Sequence, residues 1–232
     1  MRISLCIIAI FAIPVTLRAD NAKDCVQDKD HAVSIRACTE LIRSEPNNAV
    51  AYNHRGNALR STDQLTLAIE DHSKAIEIDP ANAVAYANRC MDYIQTAQLD
   101  RALTDCDAAI AHNDRYAIAF FYRGLIHARK GEYELAIADQ TGAIARSQNY
   151  ARAYNARAWA YFKVGNLAQA LPDVQNALEL RVDDPAALDT RAHIYEAMGR
   201  RTEAIADFRK AFSKDQTLSG SLEGLKRLRA AP

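Results

Sequence analysis

Residues 117–129 and 134–146 each carry apolar side chains at helical spacing, and Lys130-Gly131-Glu132 interrupts them. The stretch therefore predicts two antiparallel helices. The same alternation of apolar and polar positions fills residues 49–82, with Tyr52 at its fourth position, Arg55-Gly56 at its seventh and eighth, Ala68 at its twentieth and Ala75 at its twenty-seventh. Steps of 34 residues then give Tyr86, Arg89, Ala102 and Ala109; Phe120, Arg123, Ala136 and Ala143; Tyr154, Arg157, Ala170 and Ala177; and Leu188, Arg191, Ala204 and Ala211. Five in-phase repeats follow without an insertion: 49–82, 83–116, 117–150, 151–184 and 185–218. A fixed period of this length is the mark of stacked helix pairs.

Small residues recur at the eighth position (Gly56, Gly124, Ala158, Ala192) and at every twentieth, where they let the two helices of a repeat approach closely. Gly131, Gly165 and Gly199 end the first helices, as a left-handed helix terminus requires. Asp63 and Ala97 hold that slot in the first two repeats, and Ala97 is the misfit because its Cβ disfavours the left-handed region. Pro172 falls early in a second helix, where it is expected to bend the chain. Residues 20–48 read as a degenerate N-terminal capping repeat and 219–232 as a C-terminal capping helix with Leu222, Leu225 and Leu228 in a stripe.

Composition narrows the partners. Gly and Pro are scarce, which favours an all-α fold. The 29 basic and 29 acidic residues cancel, without the basic excess of a nucleic-acid binder. Arg2, the apolar run 3–15 and Ala19 follow the order of a secretory signal peptide, 1–19, which predicts a periplasmic or secreted protein. Membrane contact is expected only through that signal if it is left uncleaved. Cys25, Cys38, Cys90 and Cys106 then remain, enough for two disulfides with three possible pairings.

The repeat resembles the tetratricopeptide repeat (TPR) family, from Ala49 to Leu218, through Tyr or Phe at position four, Gly or Ala at eight, Ala at twenty and twenty-seven, and Pro80 at thirty-two. The resemblance implies a right-handed α-solenoid, a superhelix of antiparallel helix pairs whose first helices line a concave groove. The sequence departs from the family in one regular way. Position seven is Arg and position twenty-three is Asp in every repeat: Arg55 and Asp71, Arg89 and Asp105, Arg123 and Asp139, Arg157 and Asp173, Arg191 and Asp207. In a hairpin turning near position sixteen these slots lie at similar heights, so they predict structural ion pairs. A ligand-binding role would need the arginines to face the groove, which the repeat geometry disfavours. The register also sets Cys25 against Cys38 and Cys90 against Cys106 across one hairpin each, which predicts those two disulfides; the alternative for Cys90 and Cys106 is that they are small buried side chains.

The resemblance places Asn53, His54, Asn57, Asn88 and Met91 in the groove, followed by Phe121, Tyr122, Leu125 and Arg129, then Asn155, Trp159, Phe162 and Lys163, with Asp189, His193 and Glu196 forming an acidic end. Phe121 and Trp159 are the leading candidates, since aromatic side chains dominate interface energetics. Asn57 and Asn88 match two slots of the family's carboxylate clamp, but Asn53, Ile118 and Tyr122 replace its basic residues, so that activity is not expected. The six histidines lack metal-site spacing, and no phosphate loop or nucleophile elbow occurs. The sequence thus predicts a non-catalytic scaffold or adaptor in the cell envelope, without cofactor or metal, monomeric, holding a segment of another protein in its groove. The alternative is a structural module acting by self-association.

Overall fold

The computed structural model describes residues 15–27 and 29–231. Among them are thirteen helices and no strand: α1 (Val15–Cys25), α2 (His31–Ser44), α3 (Ala49–Ser61), α4 (Leu65–Ile78), α5 (Ala83–Gln95), α6 (Leu99–His112), α7 (Ala117–Lys130), α8 (Tyr133–Arg146), α9 (Ala151–Lys163), α10 (Leu167–Leu180), α11 (Pro185–Ala197), α12 (Arg201–Lys214) and α13 (Ser219–Arg227). Most of the expected signal peptide lies outside the described residues, and α1 runs through its expected cleavage point. Helix α10 continues through Pro172.

The chain divides into two compact units, Met1–Asp92 and Tyr93–Pro232. Within the N-terminal unit, α1, α2, α3 and α4 pack consecutively. Within the C-terminal unit, each helix from α6 to α13 packs on the next, and α7, α9, α11 and α13 also pack side by side. The recurring alanines explain the close packing: Ala68, Ala102, Ala136, Ala170 and Ala204 are buried, as are Ala75, Ala109, Ala143, Ala177 and Ala211. Position eight is tighter still. A Cβ on Gly56 would stand 2.6 Å from His72 Nε2, and one on Gly124 2.4 Å from Gln140 Nε2; in α13 a Cβ on Gly224 would stand 2.4 Å from the Phe208 ring.

The helix ends follow local chemistry. Asn48 accepts from the Ala51 N–H at 2.9 Å, Asn82 from Ala85 at 3.0 Å and Asp184 from Ala187 at 3.1 Å, capping α3, α5 and α11. Tyr116 and Tyr150 hold that slot before α7 and α9, where no side chain caps the helix. The left-handed turn after each first helix is kept by Asp63 (φ 60°), Ala97 (φ 58°) and three glycines. The disulfide Cys25–Cys38 joins α1 to α2, and Ser34 Oγ donates to the Cys25 carbonyl at 2.7 Å. Cys90 and Cys106 are fully buried.

Candidate functional site

The repeated Arg and Asp side chains meet inside the hairpins. Arg55 reaches Asp71 through Nε and Nη2, both at 2.7 Å. Arg123–Asp139 bonds are 2.9 and 2.7 Å, Arg157–Asp173 bonds 2.6 and 2.8 Å, and Arg191–Asp207 bonds 2.6 and 2.9 Å. The aspartates are buried and hold the guanidinium pKa values above their ordinary range, chiefly through these bonds. Arg89 and Asp105 fall on opposite sides of the division between units; Asp105 is buried and Arg89 half-buried.

A further set of bonds was not foreseen from the repeat. In four of the five arginines another nitrogen reaches back sixteen residues, to the preceding second helix: Arg55 to Thr39 Oγ1 at 3.1 Å, Arg89 to Ser73 Oγ at 3.0 Å, Arg123 to Asp107 at 2.7 Å and Arg157 to Thr141 Oγ1 at 3.0 Å. The guanidinium also lies over the ring at position four, 5.5 Å from the Tyr52 centroid and 5.7 Å from that of Tyr154. Arg55, Arg123 and Arg157 are thus bound both within their repeat and to the preceding one, which makes them structural pairs.

In the N-terminal unit the groove asparagines come together, but on one another. Asn53 is buried and accepts from Asn88 Nδ2 at 2.9 Å. Asn57 Oδ1 accepts from Arg60 at 2.6 Å, and Arg60 also donates to the Asn88 carbonyl and to Asp92 Oδ1. Asp92 Oδ2 stands 2.6 Å from His72 Nδ1, both side chains fully buried. His54 and Met91 are half-buried. Much of this unit's polar capacity is therefore spent internally.

The C-terminal unit is different. A cleft of about 410 Å³ crosses α7, α9 and α11. Its apolar wall is Phe121, Leu125 and Trp159, its floor the small Ala151, Ala156 and Ala187, and its rim Arg152 and Arg181. Phe121 is buried and braced by Tyr150, with ring centroids 5.0 Å apart, and by Tyr122 at 5.7 Å. Trp159 is half-buried against Phe162 and His193 at 5.2 and 5.6 Å, with Lys163 Nζ 5.7 Å from its ring. Arg129 lies outside the cleft lining and donates to the Ile94 carbonyl at 2.7 Å.

One polar atom in the cleft stands apart. Three buried side-chain atoms among the described residues have no hydrogen-bond partner: His72 Nε2, Gln140 Oε1 and Asn155 Oδ1. The first two belong to side chains that pack against Gly56 and Gly124 inside their hairpins. Of the three residues, Asn155 alone lines the cleft. Whichever of its amide atoms occupies that position, an unmade bond to a buried group costs about 1–3 kcal/mol.

The acidic end expected from Asp189, His193 and Glu196 is corrected by α13, which lies across it. Arg227 binds Glu196 at 2.7 and 3.1 Å, and Ser221 donates to Asp189. These partners lie beyond the last repeat, so the repeat pattern did not announce them. Burial pushes the His193 pKa below its ordinary value, against the pull of Asp189. Repeat reasoning also missed Arg181, Asp184, Thr190 and Leu218 in the cleft. Asp184 alone carried a signal, as a capping residue before Pro185.

No cluster of His, Cys, Asp or Glu that could hold a metal ion occurs among the described residues, and none of their helices is long and apolar enough to cross a membrane.

Sequence-family models described as tetratricopeptide repeat match residues 49–82, 91–153, and 151–183 with 185–216. No curated protein matches the chain. Solved structures share the fold. PilW, described as a widely conserved type IV pilus biogenesis factor, is 19% identical over 90% of this chain and 95% of its own, with a TM-score of 0.74. YrrB, described as a TPR protein with an unusual peptide-binding site, is 21% identical over 82% of this chain and 98% of its own, at 0.61. TTC0263, a thermophilic TPR protein from Thermus thermophilus, is 21% identical over 78% of this chain and 97% of its own, at 0.63.

Proposed function

We propose a function from one premise: this chain belongs to the tetratricopeptide repeat family. Members of that family are protein-interaction scaffolds, generally without catalytic activity. On our reading this protein is a monomeric adaptor that holds an extended segment of a partner protein in the cleft of α7, α9 and α11. The observation that carries the reading is Asn155 Oδ1, buried and unbonded beside an aromatic wall. An extended peptide offers a backbone N–H to the Asn155 amide, once that amide turns toward the cleft, and an apolar side chain to Trp159. Such a site spends the aromatic area on affinity and the amide on orientation.

The secretory-signal pattern of residues 1–19 supports an encounter in the periplasm or outside the cell. The Cys25–Cys38 bridge supports that reading, since structural disulfides persist in oxidising compartments.

The test is calorimetric titration of the full chain with a library of capped apolar peptides, alongside Trp159→Ala and Asn155→Ala. Both variants are expected to weaken binding at least tenfold while helical content stays at the wild-type level. Unchanged affinity in both places the binding site elsewhere. A molecular mass that rises with protein concentration would instead favour self-association.

A further inference from the structure

Resting on that cleft reading, we infer the chemistry of the occupant. It is an internal, extended segment of about six residues that presents a large apolar side chain to Phe121 and Trp159 and, about three residues away, one Asp or Glu carboxylate to Arg152.

The length follows from the geometry. The lining begins on α7, crosses α9, and ends on α11 and Leu218. Packed helices stand about 8–10 Å apart, so crossing three covers roughly 20 Å. An extended chain rises about 3.3 Å per residue, which makes a footprint of about six residues. Lining at both ends lets the segment pass through, so a free terminus is not required.

The charge follows from elimination. Four charged side chains line the cleft: Arg152, Arg181, Asp184 and Asp189. Asp184 accepts from the Ala187 N–H and binds Arg181 at 3.0 Å. Asp189 accepts from Ser221 and stands 3.6 Å from His193 Nε2. Arg152 is exposed, lies 4.8 Å from the centroid of the Phe121 ring, and pairs with no carboxylate among the described residues. One cation is therefore left to be neutralised, and stacking on Phe121 holds its planar fork in place for bidentate contact. Arg152 and Trp159 are seven residues apart on α9, about 10 Å along its axis, so the segment slants along α9 as it crosses the cleft and meets the two side chains with residues about three apart.

The chain has one tryptophan, Trp159, so its emission reads the cleft directly. The probes are hexapeptides in a Gly/Ser background with one phenylalanine and, three positions later, glutamate or glutamine. Both are acetylated and amidated; a third, with glutamine, keeps a free C-terminus. The capped glutamate peptide is expected to shift the emission of the full chain and to bind about 5- to 10-fold tighter than its glutamine twin. In Arg152→Gln, whose exposed side chain leaves the fold intact, the twins are expected to bind within about twofold of each other.

Equal affinity for the twins on the wild-type chain overturns the inference while leaving the cleft reading in place. So does a glutamate preference that survives Arg152→Gln. A free-ended glutamine peptide that matches the capped glutamate peptide assigns Arg152 to a terminal carboxylate and overturns the internal segment. Emission that none of the three moves overturns the cleft reading itself.

Discussion

Arg157→Ala removes three hydrogen bonds and strands Asp173, whose side chain is 8% exposed beneath an arginine that is 16% exposed. Breaking a fully buried pair from one side costs about 3–5 kcal/mol, whereas exposed pairs contribute at most about 1 kcal/mol. The partial exposure of the guanidinium places the expected loss between these, at about 2–3 kcal/mol. For a chain of this size that lowers Tm by roughly 5–10 °C. The assay is urea and thermal unfolding of Arg157→Ala, Asp173→Ala and the double variant, followed by circular dichroism. The double variant is expected to lose much less than the sum, because removing the second charge relieves the first vacancy. Replacing the pair by Arg157→Met with Asp173→Leu is expected to be near neutral, since apolar residues of similar volume avoid desolvation. Additive single losses, or a loss below about 0.5 kcal/mol for Arg157→Ala, would refute the claim that these pairs fix the hairpins.

Gly224→Ala drives a methyl into the Phe208 ring and is expected to cost about 1–3 kcal/mol in denaturant unfolding; a neutral result would mean that α13 is loosely docked. Ala97→Gly relieves a left-handed alanine at φ 58° and is expected to raise stability by a few tenths to 1 kcal/mol, less than the full strain because glycine also loosens the unfolded chain. His193 has its folded pKa lowered by burial, so the unfolded chain binds the proton more readily. Its contribution is complete above pH 6.5 and is lost as pH falls through the folded value. His193→Phe should flatten the decline in Tm below that pH, and an unchanged slope would remove His193 from the account. Non-reducing mass mapping of the protein purified without reductant is expected to find Cys25–Cys38 and Cys90–Cys106, and free thiols at either pair would refute that bridge.

The repeat was legible because its cause is steric and local. An alanine is needed wherever two helix backbones nearly touch, and it recurs at Ala68, Ala102, Ala136, Ala170 and Ala204. The Arg–Asp recurrence was legible for the same reason, within one hairpin. The backward bonds to Thr39, Ser73, Asp107 and Thr141 were not, because Thr, Ser and Asp share no residue type that would mark the slot. The groove reading named Phe121, Leu125, Asn155 and Trp159 as site residues, and these line the cleft. It could not tell that Asn53 and Asn88 bond each other, since their pairing depends on side-chain direction rather than spacing. The far wall escaped because Arg181 and Asp184 sit between helices, where the period says least.

The two tyrosines in the capping slot carry a consequence for engineering. Asn48, Asn82 and Asp184 close their helices with a side-chain bond, while Tyr116 and Tyr150 leave α7 and α9 unclosed, and Tyr150 braces Phe121 instead. A consensus redesign would restore asparagine there and gain about 1 kcal/mol per helix. At Tyr150 it would also remove the prop behind the aromatic wall. Thermostability and the shape of the proposed cleft are therefore in competition at a single side chain, and a stabilised variant chosen by melting temperature alone would be selected away from that aromatic wall.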